Sequence, residues 1–296
     1  MFSLIPIQPL QSDKKPHYNP PVDVLRMDKI HTVVSGNKWF KLSGYLREAK
    51  EKQYSTIATF GGAYSNHIVA TACAANLQGL NSMGIIRGER PDVLSHTLQN
   101  ALNYGMDLYF VSRAQYRDKT AVQQLTDPLG KYYWIPEGGY GQVGAAGIRD
   151  MLKGIPLWEY THLVTAVGTG TTMAGLIQGT LPYQRVIGIP VLNNDQSILS
   201  EIEALLTKAD FAKKYEILTG YSFGGYAKKT QSLLDFMNQT YQTVKLPLDF
   251  VYTAKAFYGL SDYLQSAELA RDSKILFLHT GGLQGNLSLP EGALCY

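Results

Sequence analysis

A lysine that is to condense with an aldehyde must present an uncharged amine, so it needs an apolar or cationic neighbourhood that lowers its pKa. Lys38 stands in Ser35-Gly36-Asn37-Lys38-Trp39-Phe40-Lys41-Leu42, where Trp39 and Phe40 offer the first and Lys41 the second. A lone lysine at a helix start is ordinarily a solvated surface residue. Glycine-rich segments further along the chain give Lys38 a different context. Phe60-Gly61-Gly62-Ala63-Tyr64-Ser65-Asn66-His67 precedes the small-residue helix Ile68–Ala75. Its glycines let a ligand approach the backbone, and N–H groups at a helix start suit a carboxylate. An N-cap by Ser65 or Asn66 uses the same N–H groups, so the two readings coexist. Val167-Gly168-Thr169-Gly170-Thr171-Thr172-Met173-Ala174-Gly175 combines hydroxyls and free amides at a helix start, which suits one phosphate dianion without a lysine or a metal. It lacks the Gly-Lys-Ser/Thr ending of a Walker loop, and Met173 occupies the third glycine position of the dinucleotide fingerprint. A single-phosphate cofactor remains. Leu278-His279-Thr280-Gly281-Gly282-Leu283-Gln284-Gly285 places Thr280 at a strand end, directed into the same cleft.

The elements that must position these loops follow one rhythm. The runs Ile57–Phe60, Met83–Ile86, Leu108–Val111, Leu163–Val167, Val186–Ile189 and Ile275–Leu278 are too short for helices and read as buried strands. Between them, Trp39, Leu42, Tyr45, Leu46 and Ala49 recur at helical spacing, and Leu94, Leu98 and Leu102 share a face that Gly105 closes. Strand then helix, repeated, predicts an α/β fold with parallel, doubly wound open sheets in two lobes, and ligands beyond the carboxyl ends of strands. Residues 1–42 with 145–296 are expected to form a large cofactor-binding domain, and residues 43–144 a small one.

Composition narrows the class. A chain of 296 residues with 45% hydrophobic content buries a large core, and its net charge of +3 is small. Basic residues are dispersed, without the alternation with aromatics that a nucleic-acid surface needs, so no polynucleotide partner is expected. Met1–Leu10 lacks a basic lead and a small-residue cleavage site and reads as the start of the mature fold. No apolar stretch has the length of a membrane span, and Cys73 and Cys295 form no metal or redox spacing; a reducing cytoplasm is the expectation. The six histidines are scattered, so no metal site is expected. A serine hydrolase around Ser65 and His67 would lack the Gly-x-Ser-x-Gly elbow.

The motifs Gly36-Asn37-Lys38 with Lys41-Leu42, Gly61-Gly62-x-x-Ser65-Asn66, Gly168-x-Gly170-Thr171, Val251-Tyr252-Thr253-x-Lys255-Ala256 and His279-Thr280-Gly281-Gly282, in this order, resemble the 1-aminocyclopropane-1-carboxylate (ACC) deaminase and D-cysteine desulfhydrase family. That family belongs to the tryptophan-synthase-β-like enzymes that use pyridoxal 5'-phosphate (PLP). The resemblance runs from about residue 4 to about residue 285. It implies that Lys38 holds PLP as a Schiff base and shuttles protons, and that Asn66 bonds the ring's phenolic oxygen. Gly168, Thr169, Gly170 and Thr171 correspond to the phosphate cup, toward which Lys41 adds charge. Ser65 corresponds to the residue that meets the substrate carboxylate, with a second role in moving protons. Tyr252 matches an active-site tyrosine, and Tyr226 is a candidate for another, although with 20 tyrosines aromatic packing competes for that position. ACC deaminases carry Glu after the tyrosine, opposite the ring nitrogen; here Thr253 stands there, and Thr280 replaces an apolar residue. His67, where Gln or Thr is common, bears on specificity as a substrate-pocket residue.

The threonine pair resembles the desulfhydrase branch and implies a deaminating lyase of a small amino acid, with β-elimination from D-cysteine to pyruvate, ammonia and sulfide. ACC deamination is the alternative, and it needs a different opening step because the α-carbon of ACC carries no hydrogen. A homodimer is the family habit. A non-catalytic ligand-binding protein on the same fold is the alternative from another class.

Overall fold

The computed structural model describes residues 5–12, 15–193 and 197–296; of the expected start of the fold at Met1–Leu10, Met1 to Leu4 lie outside the described residues. All the expected strands form, and the helix expected after Gly62 spans Asn66–Leu77. They sort into a six-stranded and a four-stranded sheet. Across the large sheet the order is Ile7–Pro9, Val22–Leu25, Ile275–Leu278, His162–Val167, Arg185–Pro190 and Lys214–Ile217. Every pair is parallel except the first, so an all-parallel expectation fails at one edge, where Ile7–Pro9 runs antiparallel to Val22–Leu25. The small sheet runs Met106–Val111, Asn81–Arg87, Thr56–Gly61, Tyr133–Ile135, all parallel.

Register determines where the loops emerge. Ile275 pairs with both Val22 and His162, and His162 with Arg185, so the large-sheet strands start in one row and their carboxyl ends reach one edge. The segments after Leu25, Val167 and Leu278 therefore leave the sheet together. In the small sheet the Gly61–Ile86 pairing does the same for the loop before Asn66 and for Arg87. Parallel sheets of this kind are buried on both faces, which is why the central strands read as unbroken apolar runs.

Two helices belong to both lobes. Asn37–Glu51 sends Phe40 into the core beneath the large sheet and Leu42, Tyr45, Leu46 and Ala49 into the core of the small one. Gln142–Leu152 divides likewise, Val143 facing the small lobe and Ala145 and Ile148 the large. These helices touch so closely that a Cβ on Gly147 would stand 2.1 Å from the Phe40 carbonyl oxygen. The helix expected around Leu94–Leu102 spans His96–Asn103, and its buried side is Thr97, Leu98 and Ala101; Leu102 is exposed, because the face follows a spacing of three from Leu98. Ser95 caps it, accepting the Leu98 N–H at 3.2 Å.

Candidate active site

Where the carboxyl edges of the two sheets meet, the chain leaves a cavity of about 690 Å³. Lys38, Lys41, Ser65, Asn66, His67, Gly168, Thr169, Gly170, Tyr226, Tyr252 and Thr280 all line it, residues drawn from distant parts of the sequence. Thr171 and Thr253 do not reach the wall.

Lys38 opens the Asn37–Glu51 helix, and its start is wedged between neighbours. The Asn37 N–H donates to the Thr280 carbonyl at 3.3 Å, and a Cβ on Gly36 would lie 1.9 Å from the same oxygen, so glycine with φ +66° is what lets the chain pass. The Lys38 amine donates to Asn37 Oδ1 at 3.3 Å, and what remains accessible of it opens into the cavity. Burial lowers its pKa to about 8, against a smaller opposing pull from the Asp249 carboxylate. Lys41, buried one turn later with its amine 3.5 Å from the Gly138 carbonyl, is held well below the ordinary lysine value by burial and then by Lys38.

The Gly168–Gly170 loop leads into the helix Thr171–Gly179, whose first-turn N–H groups have no intrahelical acceptor. Gly170 turns it in the left-handed region, φ 81°, and a Cβ there would be 2.7 Å from Ile202. The Thr171 side chain lies behind the wall, its oxygen 3.3 Å from the Thr169 oxygen. The next residue joins the lysine to this loop: Asn37 Nδ2 donates to Thr172 Oγ1 at 2.8 Å. A buried amine of lowered pKa and an anion-binding helix start thus share one cavity. These residues fit a cofactor with an aldehyde at one end and a phosphate at the other.

Ser65 occupies the N-cap of the Asn66–Leu77 helix, but its hydroxyl makes no capping bond. The Asn66 side chain crosses to the other lobe, where its Oδ1 accepts from Gln284 Nε2 at 3.0 Å. His67 is buried, and its tautomer follows from its partners: Thr59 Oγ1 donates to the Ile135 carbonyl at 2.8 Å, so at 2.8 Å it accepts from His67 Nε2–H. Nδ1 is left as a buried acceptor without a protein partner among the described residues. Burial, then Lys38 and Lys41, hold this imidazole well below its ordinary pKa, which keeps it neutral.

Sequence reasoning missed Asp249. Fully buried, it accepts N–H bonds from Val251, Tyr252 and Thr253 at 2.8–3.0 Å and the Thr253 hydroxyl at 2.7 Å. The expectation that Thr253 faces the ring is corrected accordingly: its proton is committed to Asp249, and the backbone N–H of Asp249 donates to its oxygen at 2.8 Å. Of this pair, Thr280 is the one that reaches the cavity. Burial drives the Tyr252 phenol well above its usual pKa, so it stays protonated. Tyr226, half-exposed, lies edge-on to Tyr252 at 6.5 Å and belongs to a loop in which Phe223, Gly224, Gly225 and Ala227 all have positive φ. The fully buried Lys255 amine holds that loop, donating to the Ser222 and Gly225 carbonyls at 2.7 Å each. Gln284 and Lys255 stood in recognised motifs without a role; Asp249 carried no local signal.

Two open α/β lobes that bring a buried lysine and a glycine-rich helix start onto one cavity have the architecture of PLP enzymes of the tryptophan-synthase-β-like fold. Residues 9–281 match the family described as pyridoxal-phosphate dependent enzymes, and the chain belongs to that family. It is 31% identical to a Pyrococcus horikoshii protein provisionally named 1-aminocyclopropane-1-carboxylate deaminase, over 89% of this chain and 85% of the relative. It is 26% identical to a Klebsiella pneumoniae D-cysteine desulfhydrase, over 90% of this chain and 88% of the relative. The crystal structure of an ACC deaminase homologue superposes with a TM-score of 0.81 at 28% identity, covering 96% of this chain and 91% of that one. Among the described residues no helix is long and apolar enough to cross a membrane.

Proposed function

We propose that this enzyme is a deaminating lyase of small amino acids that releases pyruvate and ammonia by β-elimination, with D-cysteine as the leading substrate and sulfide as the third product. One observation carries the choice of branch: Thr280, a hydroxyl-bearing residue, lines the cavity, and Thr253, where a glutamate would mark the other branch, adds no carboxylate next to Tyr252. Bound PLP supplies the electron sink that stabilises negative charge developing at the substrate α-carbon. The chain's own groups do the rest. The Gly168–Gly170 amides and the start of the Thr171–Gly179 helix would hold the phosphate, with Lys41 lining the cavity beside them. Gln284 engages Asn66 Oδ1, which leaves the Asn66 amide N–H as the group that would donate to the phenolic oxygen. Lys38, whose amine burial brings closer to the neutral form, or the Ser65 hydroxyl, takes the α-proton. Tyr252, kept protonated, and His67, kept neutral, shape the substrate side of the cavity without adding charge.

In this reading residues 1–42 with 145–296 are the cofactor domain and residues 43–144 the small domain, and the enzyme works as a cytoplasmic homodimer. Release of pyruvate from D-cysteine, L-cysteine and D-serine, and of 2-oxobutanoate from ACC, tests the assignment. Release from D-cysteine supports it; release from ACC but not D-cysteine transfers the enzyme to the ACC deaminases. Loss of the cofactor's visible absorbance in Lys38→Ala tests the anchor, and a wild-type protein without such absorbance would make the chain a cofactor-free binder.

A further inference from the structure

Where the cavity opens to solvent, one wall carries a charge to which the proposed function assigns no role. Arg87 ends the buried strand Asn81–Arg87, at the carboxyl edge where ligands of such sheets sit. Its guanidinium lies 5.8 Å over the ring of buried Tyr116, which packs edge-on against Phe60 at 5.9 Å. Phe60 in turn stacks on Trp134 at 5.2 Å, so the cation rests on a rigid aromatic surface. In the same wall Lys119 is neutralised by Glu137 at 2.7 Å. Arg87 takes part in no ion pair among the described residues, and its positive charge is felt inside the cavity, where it opposes the upward push of burial on the Tyr226 phenol. Its Nη2 stands 3.7 Å from the place of a Cβ on Gly62, beside the loop that ends in Ser65 and Asn66.

We propose that this wall is a subsite for a second anionic group on the substrate side chain, read by the Arg87 guanidinium, so that among substrates extended beyond the β-carbon those whose substituent ends in a carboxylate are preferred to their neutral counterparts. The proposal rests on the lyase reading above and names its substrate class. A planar guanidinium takes a carboxylate through two parallel N–H bonds, and the partly exposed Trp134 in the same wall offers apolar contact to the methylenes that lead to it. A neutral side chain gains only the second contribution. With S-carboxymethyl-D-cysteine the α-proton is removed and the Cβ–S bond breaks with its electron pair leaving on sulfur as thioglycolate. One water then completes the release of pyruvate and ammonia, without net oxidation or reduction.

The test uses the holoenzyme and compares S-carboxymethyl-D-cysteine with its neutral carboxamide, S-carbamoylmethyl-D-cysteine, and with D-cysteine. The expected result is a kcat/KM about tenfold higher for the carboxylate than for the carboxamide, as for a partly exposed charge-assisted pair. In Arg87→Gln that ratio collapses to near one. An equal kcat/KM in the wild type, or a ratio that survives the substitution, overturns the proposal. So does a loss on D-cysteine as large as that on the carboxylate, since Arg87 would then be reading the α-carboxylate. Titration of the cofactor's visible spectrum with D-glutamate and D-glutamine, which carry no leaving group, separates the subsite from the lyase reading. Tighter binding of D-glutamate that disappears in Arg87→Gln supports the subsite even if no elimination is found, and indifference to the charge refutes it.

Discussion

The rate at which stripped enzyme takes PLP back is set by the fraction of Lys38 that is neutral, because only the free amine attacks the aldehyde. Burial lowers this amine's pKa to about 8. About a tenth of it is then neutral at pH 7, about half at pH 8 and about nine-tenths at pH 9, whereas a solvated lysine would be about three parts in ten thousand neutral at pH 7. Recombination followed by the growth of visible absorbance after rapid mixing is therefore expected to accelerate about tenfold between pH 7 and pH 9 and then level off. The opposing influence is Asp249, so Asp249→Asn moves the midpoint lower and makes uptake at pH 7 faster in any molecules that keep their fold. An acceleration of about a hundredfold over the same interval, still climbing at pH 9, is what an ordinary lysine gives and would refute the reasoning.

Further substitutions probe the supports. Gly36→Ala forces a Cβ to within 1.9 Å of the Thr280 carbonyl at φ +66°, so thermal unfolding of the variant is expected to begin far earlier, with a loss of about 3 kcal/mol or more. In Thr59→Val the buried His67 Nε2–H loses its acceptor, and denaturant unfolding should register about 1–3 kcal/mol with unchanged cooperativity. Lys255→Met leaves the Ser222 and Gly225 carbonyls without their donor; faster proteolytic cleavage near residues 222–227 and a KM raised more than kcat is lowered are the expected signs.

Legibility in the sequence followed locality. The central strands announced themselves because both faces are buried. Val22–Leu25 did not, since Asp23 interrupts the run and its partners, Tyr160 at 2.8 Å and Lys274 at 3.2 Å, are remote in sequence. Lys214–Ile217 is a partly exposed edge strand with no apolar run to notice. In the site, the glycine loops and Lys38 were visible because backbone geometry and one nucleophile leave local marks. Asp249 was not, because its importance lies in an electrostatic pull on a lysine more than two hundred positions earlier. Thr253 misled for the converse reason: four residues after Asp249 at a helix start, its hydroxyl satisfies the chain itself before it can serve a ligand.

The bond from Asn37 to Thr172 sets a gauge length. It couples the residue beside the attacking nitrogen to the helix turn that receives the anion, so the span between those anchor points is fixed before any cofactor arrives. A homologue of PLP with an extra methylene between ring and phosphate is accordingly expected to recombine with stripped enzyme more slowly than PLP, which rapid mixing would show. Discrimination by reach would act in addition to the Asn66 contact proposed for the ring.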